Sequence, residues 1–234
     1  MTKPVGFDQK VDIKHLDITV SEARITERKD MYAKLDEYLR FDIKGDKSRK
    51  NAITMLMKIW FLVDDEHEEI KQRAYELYPE LREEDRLALH WGMTLLAYPF
   101  FKAVADEMGN LFKLQNEVPS QQLSRRVKML YGDRRRVEVA VSAVLGSIKV
   151  WGVITLEKKQ IYSKNQVITI EDTALKNWIL EVAIKASEYS AIPLDMISSL
   201  TMFFPFEFKV NVNEIDTKRI KVDRQGLDTY MLSI

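Results

Sequence analysis

Residues 119–170 constrain the fold more than any other part of this sequence, because two glycines divide their helix-like apolar pattern into separate pieces. The spacing of apolar residues predicts a first helix over residues 121–130, which ends before Gly132. It predicts a second helix over residues 134–150, which ends before Gly152. Two strand-like runs follow. The predicted order of elements is therefore helix, turn, helix and β-hairpin.

Six basic side chains lie at the junction of these two predicted helices, although the chain carries no net charge. Its 36 acidic residues balance 36 basic ones, which excludes a basic field over the whole molecule. Any contact with nucleic acid must therefore come from a local patch. The six basic residues are Arg125, Arg126, Lys128, Arg134, Arg135 and Arg136. This local charge is the strongest indication of function in the sequence, and it indicates nucleic acid.

The second predicted helix has two faces of opposite character. One side carries an apolar stripe that must face a core: Val137, Val141, Val144, Ile148 and Trp151. The opposite side carries small and basic residues: Arg135, Val139, Ser142, Gly146 and Lys149. Small residues let a helix approach a groove floor or a partner helix closely. We therefore expect the apolar stripe to be buried and the basic side to be exposed.

Helix-turn-helix proteins use the first residues of their second helix on base edges and flanking basic residues on phosphates. We therefore expect the three consecutive arginines of the second helix to enter or border the major groove. The basic residues of the first helix would hold phosphates, and the lysines at the hairpin turn would contact the DNA backbone. The predicted contact residues are Arg125, Arg126, Lys128, Arg134, Arg135, Arg136, Ser142, Lys149, Lys158 and Lys159.

This layout resembles winged helix-turn-helix DNA-binding domains. The residues that carry the resemblance are Arg125-Arg126, the Tyr131-Gly132 turn, the arginine-rich helix, Trp151-Gly152-Val153-Ile154 and the hairpin. They cover about a fifth of the chain, and the pattern is generic. More loosely, the whole chain resembles the non-enzymatic DNA-binding accessory proteins of prokaryotic phage-defence operons. The resemblance implies double-stranded DNA as a partner and an accessory or regulatory role in antiviral defence.

The remainder of the sequence predicts an α+β protein that is mostly α. A helical N-terminal bundle over residues 1–116 would precede a winged-helix-like domain with β-hairpins over residues 117–234, unless both form one compact unit. Residues 1–20 lack a clear period and predict an arm or an irregular strand. Strand-like runs at residues 206–212 and 219–223 predict a second hairpin.

Several classes of chemistry are excluded or unsupported. The chain has no cysteine, which excludes disulfides, thiolate catalysis and cysteine-bound metals. No apolar run approaches the ~18 residues that cross a bilayer, and the N-terminal residues are polar, so we expect a cytoplasmic protein with no membrane partner. The glycine-rich phosphate-binding motifs and the serine-hydrolase motif are missing. We therefore expect no cofactor, no metal and no enzymatic activity.

Two alternatives remain open at this stage. Glu157 and Lys159 form the E-x-K of some metal-dependent nucleases, but no acidic residue on a preceding strand accompanies them. The second alternative is an assembly subunit of a larger protein complex or an oligomer, in which the helix pair or the phenylalanine-rich residues 203–208 contact a partner protein. For His90, and for the aromatic residues around Pro99, a place in the core is the favoured interpretation.

Overall fold

The computed structural model describes residues 3–187, 189–226 and 229–234. Within them the helices are α1 (Ile13–Ala23), α2 (Arg28–Leu39), α3 (Asp46–Trp60), α4 (Glu68–Leu77), α5 (Glu83–Ala97), α6 (Pro99–Phe112), α7 (Ser120–Tyr131), α8 (Arg135–Val150), α9 (Thr173–Ala186) and α10 (Leu194–Ile197). The strands are β1 (Glu117–Pro119), β2 (Ile154–Lys158), β3 (Ile161–Lys164), β4 (Ile168–Thr169), β5 (Ile192–Pro193), β6 (Phe206–Glu207), β7 (Lys221–Gln225) and β8 (Thr229–Ser233). The predicted fold class, α+β and mostly α, is confirmed.

The first helix corrects the prediction of an arm over residues 1–20. Asp12 begins α1 by accepting a hydrogen bond from the backbone N–H of Lys14, at 3.3 Å. Leu16 and Val20, four residues apart, are both fully buried on the inner face. Of the predicted arm, residues 3–11 carry no helix or strand. The sequence did not predict α1 because its 11 residues are too few for the helical period to be clear.

The predicted helix, turn, helix and hairpin are present. The sequence α6, β1, α7, α8, β2 and β3 spans residues 99–164, and we call it the α6–β3 module. Its sheet has the order β1-β3-β2 with antiparallel pairing, so that Val118 and Leu156 both lie opposite Tyr162. Helix α7 packs against both α6 and α8. The hairpin prediction is confirmed, and the module gains α6 and β1, which the sequence pattern had not joined to it.

Of the second predicted hairpin, the strand at 219–223 is present as β7, but it pairs with β8 and not with residues 206–212. Strands β7 and β8 pair with each other, and β5 pairs with the other edge of β8. The predicted strand at 206–212 is reduced to the two residues of β6, which lie parallel to β4. Its remainder turns into a short 3₁₀ helix that a capping box at Asn211 and Glu214 begins. Buried phenylalanines, rather than strand pairing, account for the apolar pattern of this segment.

One continuous core joins the two predicted halves. The indole N–H of Trp178 in α9 donates to the carbonyl of Ile70 in α4 at 2.9 Å, and that of Trp91 in α5 donates to the carbonyl of Met202 at 2.8 Å. Helix α9 also packs on α5. No helix among the described residues is both long and apolar enough to cross a membrane.

Candidate nucleic-acid interface

The turn between α7 and α8 is built around Gly132. Gly132 has a φ of +88°, a region that favours glycine, and its N–H donates to the carbonyl of Lys128 at 2.7 Å, which ends α7. Arg134 precedes α8 with an extended backbone. Its guanidinium donates to the carbonyls of Tyr131, at 2.9 Å, and Lys3, at 3.0 Å. Arg134 therefore closes the turn and lies one residue before the helix that it was predicted to open, and its place at the major groove stays a prediction.

Helix α8 has the two faces that its sequence predicts. The inner face is buried throughout: Val137, Val141, Val144, Ile148 and Trp151. On the outer face the exposed residues include Arg135, Val139, Ser142 and Lys149. Neither Arg135 nor Lys149 forms an ion pair with the described part of the chain. This face presents two uncompensated cations beside small side chains.

Two cations of the predicted phosphate-binding set are already paired within the fold. Arg126 binds Glu107 of α6 at 3.0 Å. Lys128 pairs with Asp133 at 2.8 Å and with Glu138 of α8, and hydrogen bonds from these carboxylates raise the pKa of Lys128. Both cations hold α7 against its neighbours. Their charges are matched within the fold, and the phosphate contacts that the sequence predicts for them stay a prediction.

Arg125 and Arg136 are more available. Arg125 is exposed on α7 and has no carboxylate partner among the residues described. Arg136 binds Asp8 at 2.7 Å, and the two side chains remain 63% and 39% exposed. The hydrogen bond to Asp8 raises the pKa of Arg136. Exposed ion pairs are weak and screened by salt, so a phosphate can replace Asp8 at low cost.

The N-terminal arm, residues 3–12, lies along one side of α8 and adds a cation that sequence reasoning missed. The backbone N–H of Val11 donates to the hydroxyl of Ser147 at 2.9 Å. The side chain of Lys10 lies over Gly146, where its Cγ is 3.4 Å from the position of an added Cβ. Lys10 is exposed and forms no ion pair with any described residue.

The one feature of the sequence that indicates a close neighbour is Gly146, a residue without a side chain on the outer face of a helix. By its sequence, this face would approach a groove floor or a partner helix. The close neighbour is instead the arm of the same chain. Nothing in the local pattern could identify Lys10 as that neighbour, because 136 positions separate Val11 from the serine it contacts.

The hairpin β2–β3 presents the two lysines that the sequence places at its turn. Gln160 adopts a φ of +63° between the strands. Lys158 and Lys159 are exposed beside it and lack ion-pair partners within the described residues. Lys164 is exposed at the opposite end of the hairpin, where it pairs in register with Ile154. The hairpin tip is therefore basic and open to solvent.

The alternative enzymatic site lacks its supporting groups. Glu157 accepts a hydrogen bond from the hydroxyl of Ser163 on the neighbouring strand. Within the described ranges, no three acidic or histidine side chains are close enough together to hold a metal ion. This holds also for residues 64–69, of which the last two begin α4.

The aromatic residues and His90 lie in the core, as expected. His90 is fully buried and hydrogen-bonded, and the aromatic residues around Pro99 are buried too: Trp91, Tyr98, Phe100 and Phe101. In the phenylalanine-rich segment, Phe203, Phe206 and Phe208 are buried. Phe204 is partly buried, so this segment exposes little apolar surface, and the helix pair is the other docking surface of the assembly alternative.

Comparison with known proteins adds no assignment. No family model, no curated protein and no solved structure matches this chain. Function is therefore inferred from the geometry of the α6–β3 module alone.

Proposed function

We propose that the α6–β3 module is a winged helix that binds double-stranded DNA, with limited dependence on base sequence. The observation that carries the proposal is the outer face of α8, where Arg135 and Lys149 are exposed without carboxylate partners. The order of helices and strands in the module, with its β1-β3-β2 sheet, supports the same interpretation, because winged-helix domains share this arrangement.

The cations take different roles in this proposal from those that their order in the sequence predicts. Arg135 and Ser142 lie where base edges would be contacted. Lys149 and Lys10 would contact phosphates on either side, and Arg125 would contact a phosphate from α7. Lys158 and Lys159 would contact the backbone from the hairpin, as in the original prediction.

Unpaired cations favour phosphate binding for a physical reason. Each phosphate contact releases condensed counterions, which supplies most of the sequence-independent affinity. A cation that already binds a carboxylate must first lose that contact, whereas Arg135, Lys149 and the hairpin lysines lose none. The whole chain is neutral, so orientation on DNA would depend on this one face.

The test is a series of fluorescence-anisotropy titrations of a labelled duplex at several salt concentrations. The double variant Arg135→Ala and Lys149→Ala should weaken binding and reduce the slope of log K against log salt by about 2. The matched control, Lys47→Ala and Lys50→Ala, removes two exposed cations from α3 and should leave the slope unchanged. An equal loss of duplex affinity in both double variants, or no loss in the Arg135 and Lys149 variant, would contradict the proposal.

One observation favours a second function, that of a protein assembly subunit. Met129 and Leu130 on α7 are 79% and 44% exposed, which is unusual for neighbouring apolar side chains. A stoichiometric protein partner that is lost with Met129→Glu, combined with no duplex binding at low salt, would favour this function. An accessory role in phage defence stays a prediction of the resemblance.

A further inference from the structure

A large cavity lies beside the module, and neither the outer face of α8 nor the hairpin contributes to it. Its volume is about 920 Å³, within the range of about 300–1,000 Å³ that is usual for sites that bind organic molecules. Helices α6 and α7 form one wall, and residues within 186–187 and 189–202 form the other. The N-terminal arm and α3 contribute to its rim.

The walls of this cavity are mainly apolar. The apolar side chains that line it include Phe100, Ile192, Pro193, Met196, Leu200 and Met202. Met196 is 49% exposed at the opening. An apolar lining that stays open to solvent provides a site where the body of an organic molecule can be buried.

Positive charge predominates among the described lining residues. Three lysines line the cavity, whereas Asp106 is the one carboxylate among them and accepts a hydrogen bond from Thr201. The ammonium group of Lys58 lies 4.8 Å from the centre of the Tyr98 ring. Lys102 donates one hydrogen bond, to the carbonyl of Ala186 at 2.8 Å, and keeps two N–H groups free.

Tyr98 provides an unused hydrogen-bond donor in the same place. Its side chain lines the cavity and is only 5% exposed, yet its hydroxyl makes no hydrogen bond to the described part of the chain. Burial raises the pKa of Tyr98, so the hydroxyl keeps its proton. The oxygen is not among the fully buried atoms without a partner, so it reaches solvent and can donate a hydrogen bond to a bound molecule.

We propose that this cavity binds a small organic anion, with a carboxylate or a similar group on an aliphatic or aromatic body. The anionic group lies between Lys58, Lys102 and the hydroxyl of Tyr98, and the body packs against the apolar wall. This inference does not depend on the proposed DNA binding. Three lysines against one carboxylate, with an unused hydroxyl donor beside an apolar lining, select an anion over a neutral or a cationic molecule.

The test uses decanoate as the probe, in calorimetric titrations of the full chain without DNA. We expect saturable binding of one decanoate per chain, with decanol at least about tenfold weaker because it lacks the charge-assisted contacts. Ala191→Trp, which places an indole in the cavity, should abolish binding. Lys47→Ala, far from the cavity lining, is the matched control and should bind as the wild type does.

A second variant tests the proposal even if Ala191→Trp does not fold. Tyr98→Phe removes only the hydroxyl and should weaken decanoate binding severalfold, and decanol binding by less, because the hydrogen bond to an alcohol is not charge-assisted. Equal binding of decanoate, decanol and decylamine would overturn the inference. So would an absence of saturable binding, or full binding by a folded Ala191→Trp variant. These outcomes leave the DNA titrations untouched, so the two proposals can fail separately.

Discussion

At the scale of single residues, the fold assigns different uses to cations that are neighbours in the sequence. Arg134, Arg135 and Arg136 are consecutive, yet the first closes a turn, the second is free and the third binds Asp8. A charge cluster in a sequence therefore overstates the charge that is available. The free cations are the ones that the proposed DNA contact requires.

Asp8 should restrain DNA binding, because its carboxylate competes with phosphate for Arg136. Asp8→Asn removes that negative charge, and we expect duplex affinity at low salt to rise severalfold. The control is Asp65→Asn, which changes the net charge equally at an exposed position before α4. Anisotropy titrations measure both. An equal effect of the two variants would show that only net charge matters.

The hydrogen bonds of His90 fix its protonation state. Its Nδ1 accepts the indole N–H of Trp60 at 3.1 Å, so its Nε2 carries the proton and donates to Asp17 at 2.9 Å. Burial lowers the pKa of His90. Burial opposes ionisation of Asp17 too, but hydrogen bonds from His90 and Tyr78 keep its pKa below the ordinary value. The histidine is therefore neutral in the folded protein.

This burial predicts a loss of stability in mild acid. Below the ordinary histidine pKa of 6.5, His90 binds a proton in the unfolded chain but stays neutral in the folded protein. The free energy of unfolding therefore decreases as the pH is lowered. Burial also lowers the pKa of His67, which adds to the effect. Urea titrations should show a steep decrease in the free energy of unfolding as the pH is lowered from about 7.5 to about 5.5. The His90→Gln variant should show a smaller decrease. A flat dependence in the wild type would contradict the assignment.

At the scale of elements, the sequence could predict the helices and the first hairpin because these depend on local periodicity and on glycine. Val137 and its apolar partners mark the inner face of α8, and Gly132 and Gly152 mark the ends of α7 and α8. The predicted strand at residues 206–212 was wrong because the spacing of buried phenylalanines resembles that of a strand. The pairing of Arg126 with Glu107 and of Arg136 with Asp8 could not be predicted, since tertiary packing creates these contacts.

Replacing each of two helical glycines by alanine should change the stability of the protein in opposite directions. At Gly92 in α5, an added Cβ would lie 2.5 Å from the ring of Trp178, so Gly92→Ala should destabilise the protein by about 1–3 kcal/mol. At Gly146 the neighbour is the flexible side chain of Lys10, so Gly146→Ala should stabilise it by up to about 1 kcal/mol. Urea midpoints measure both. If Gly146→Ala destabilises the protein, the arm is held more rigidly against α8 than we infer.

At the scale of the whole molecule, buried contacts cross the boundary that composition marks near residue 116. Trp178 is bonded to Ile70, and Arg73 of α4 pairs with Glu181 of α9, which is 4% exposed. Removing one partner from such a buried pair leaves an uncompensated charge. The halves therefore complete each other's core.

This shared core predicts that the halves will not fold separately. Fragments 1–116 and 117–234 should each lack the near-ultraviolet circular dichroism of fixed tryptophans, whereas the full chain should unfold in one cooperative transition. Thermal scans of the three proteins test this. A folded C-terminal fragment would show that residues 117–234 need none of α4, α5 and α6, and would contradict the prediction.

The absence of cysteine from the chain allows the most direct test of where DNA binds. A single cysteine introduced by Ser142→Cys on the outer face of α8, carrying a photoactivated aryl azide, should crosslink to a bound duplex. The same label at Thr54→Cys, exposed on α3, should not. Crosslinking from Ser142→Cys alone is the result we predict. Equal crosslinking from both positions, or crosslinking from Thr54→Cys alone, would contradict a DNA-binding role for α8.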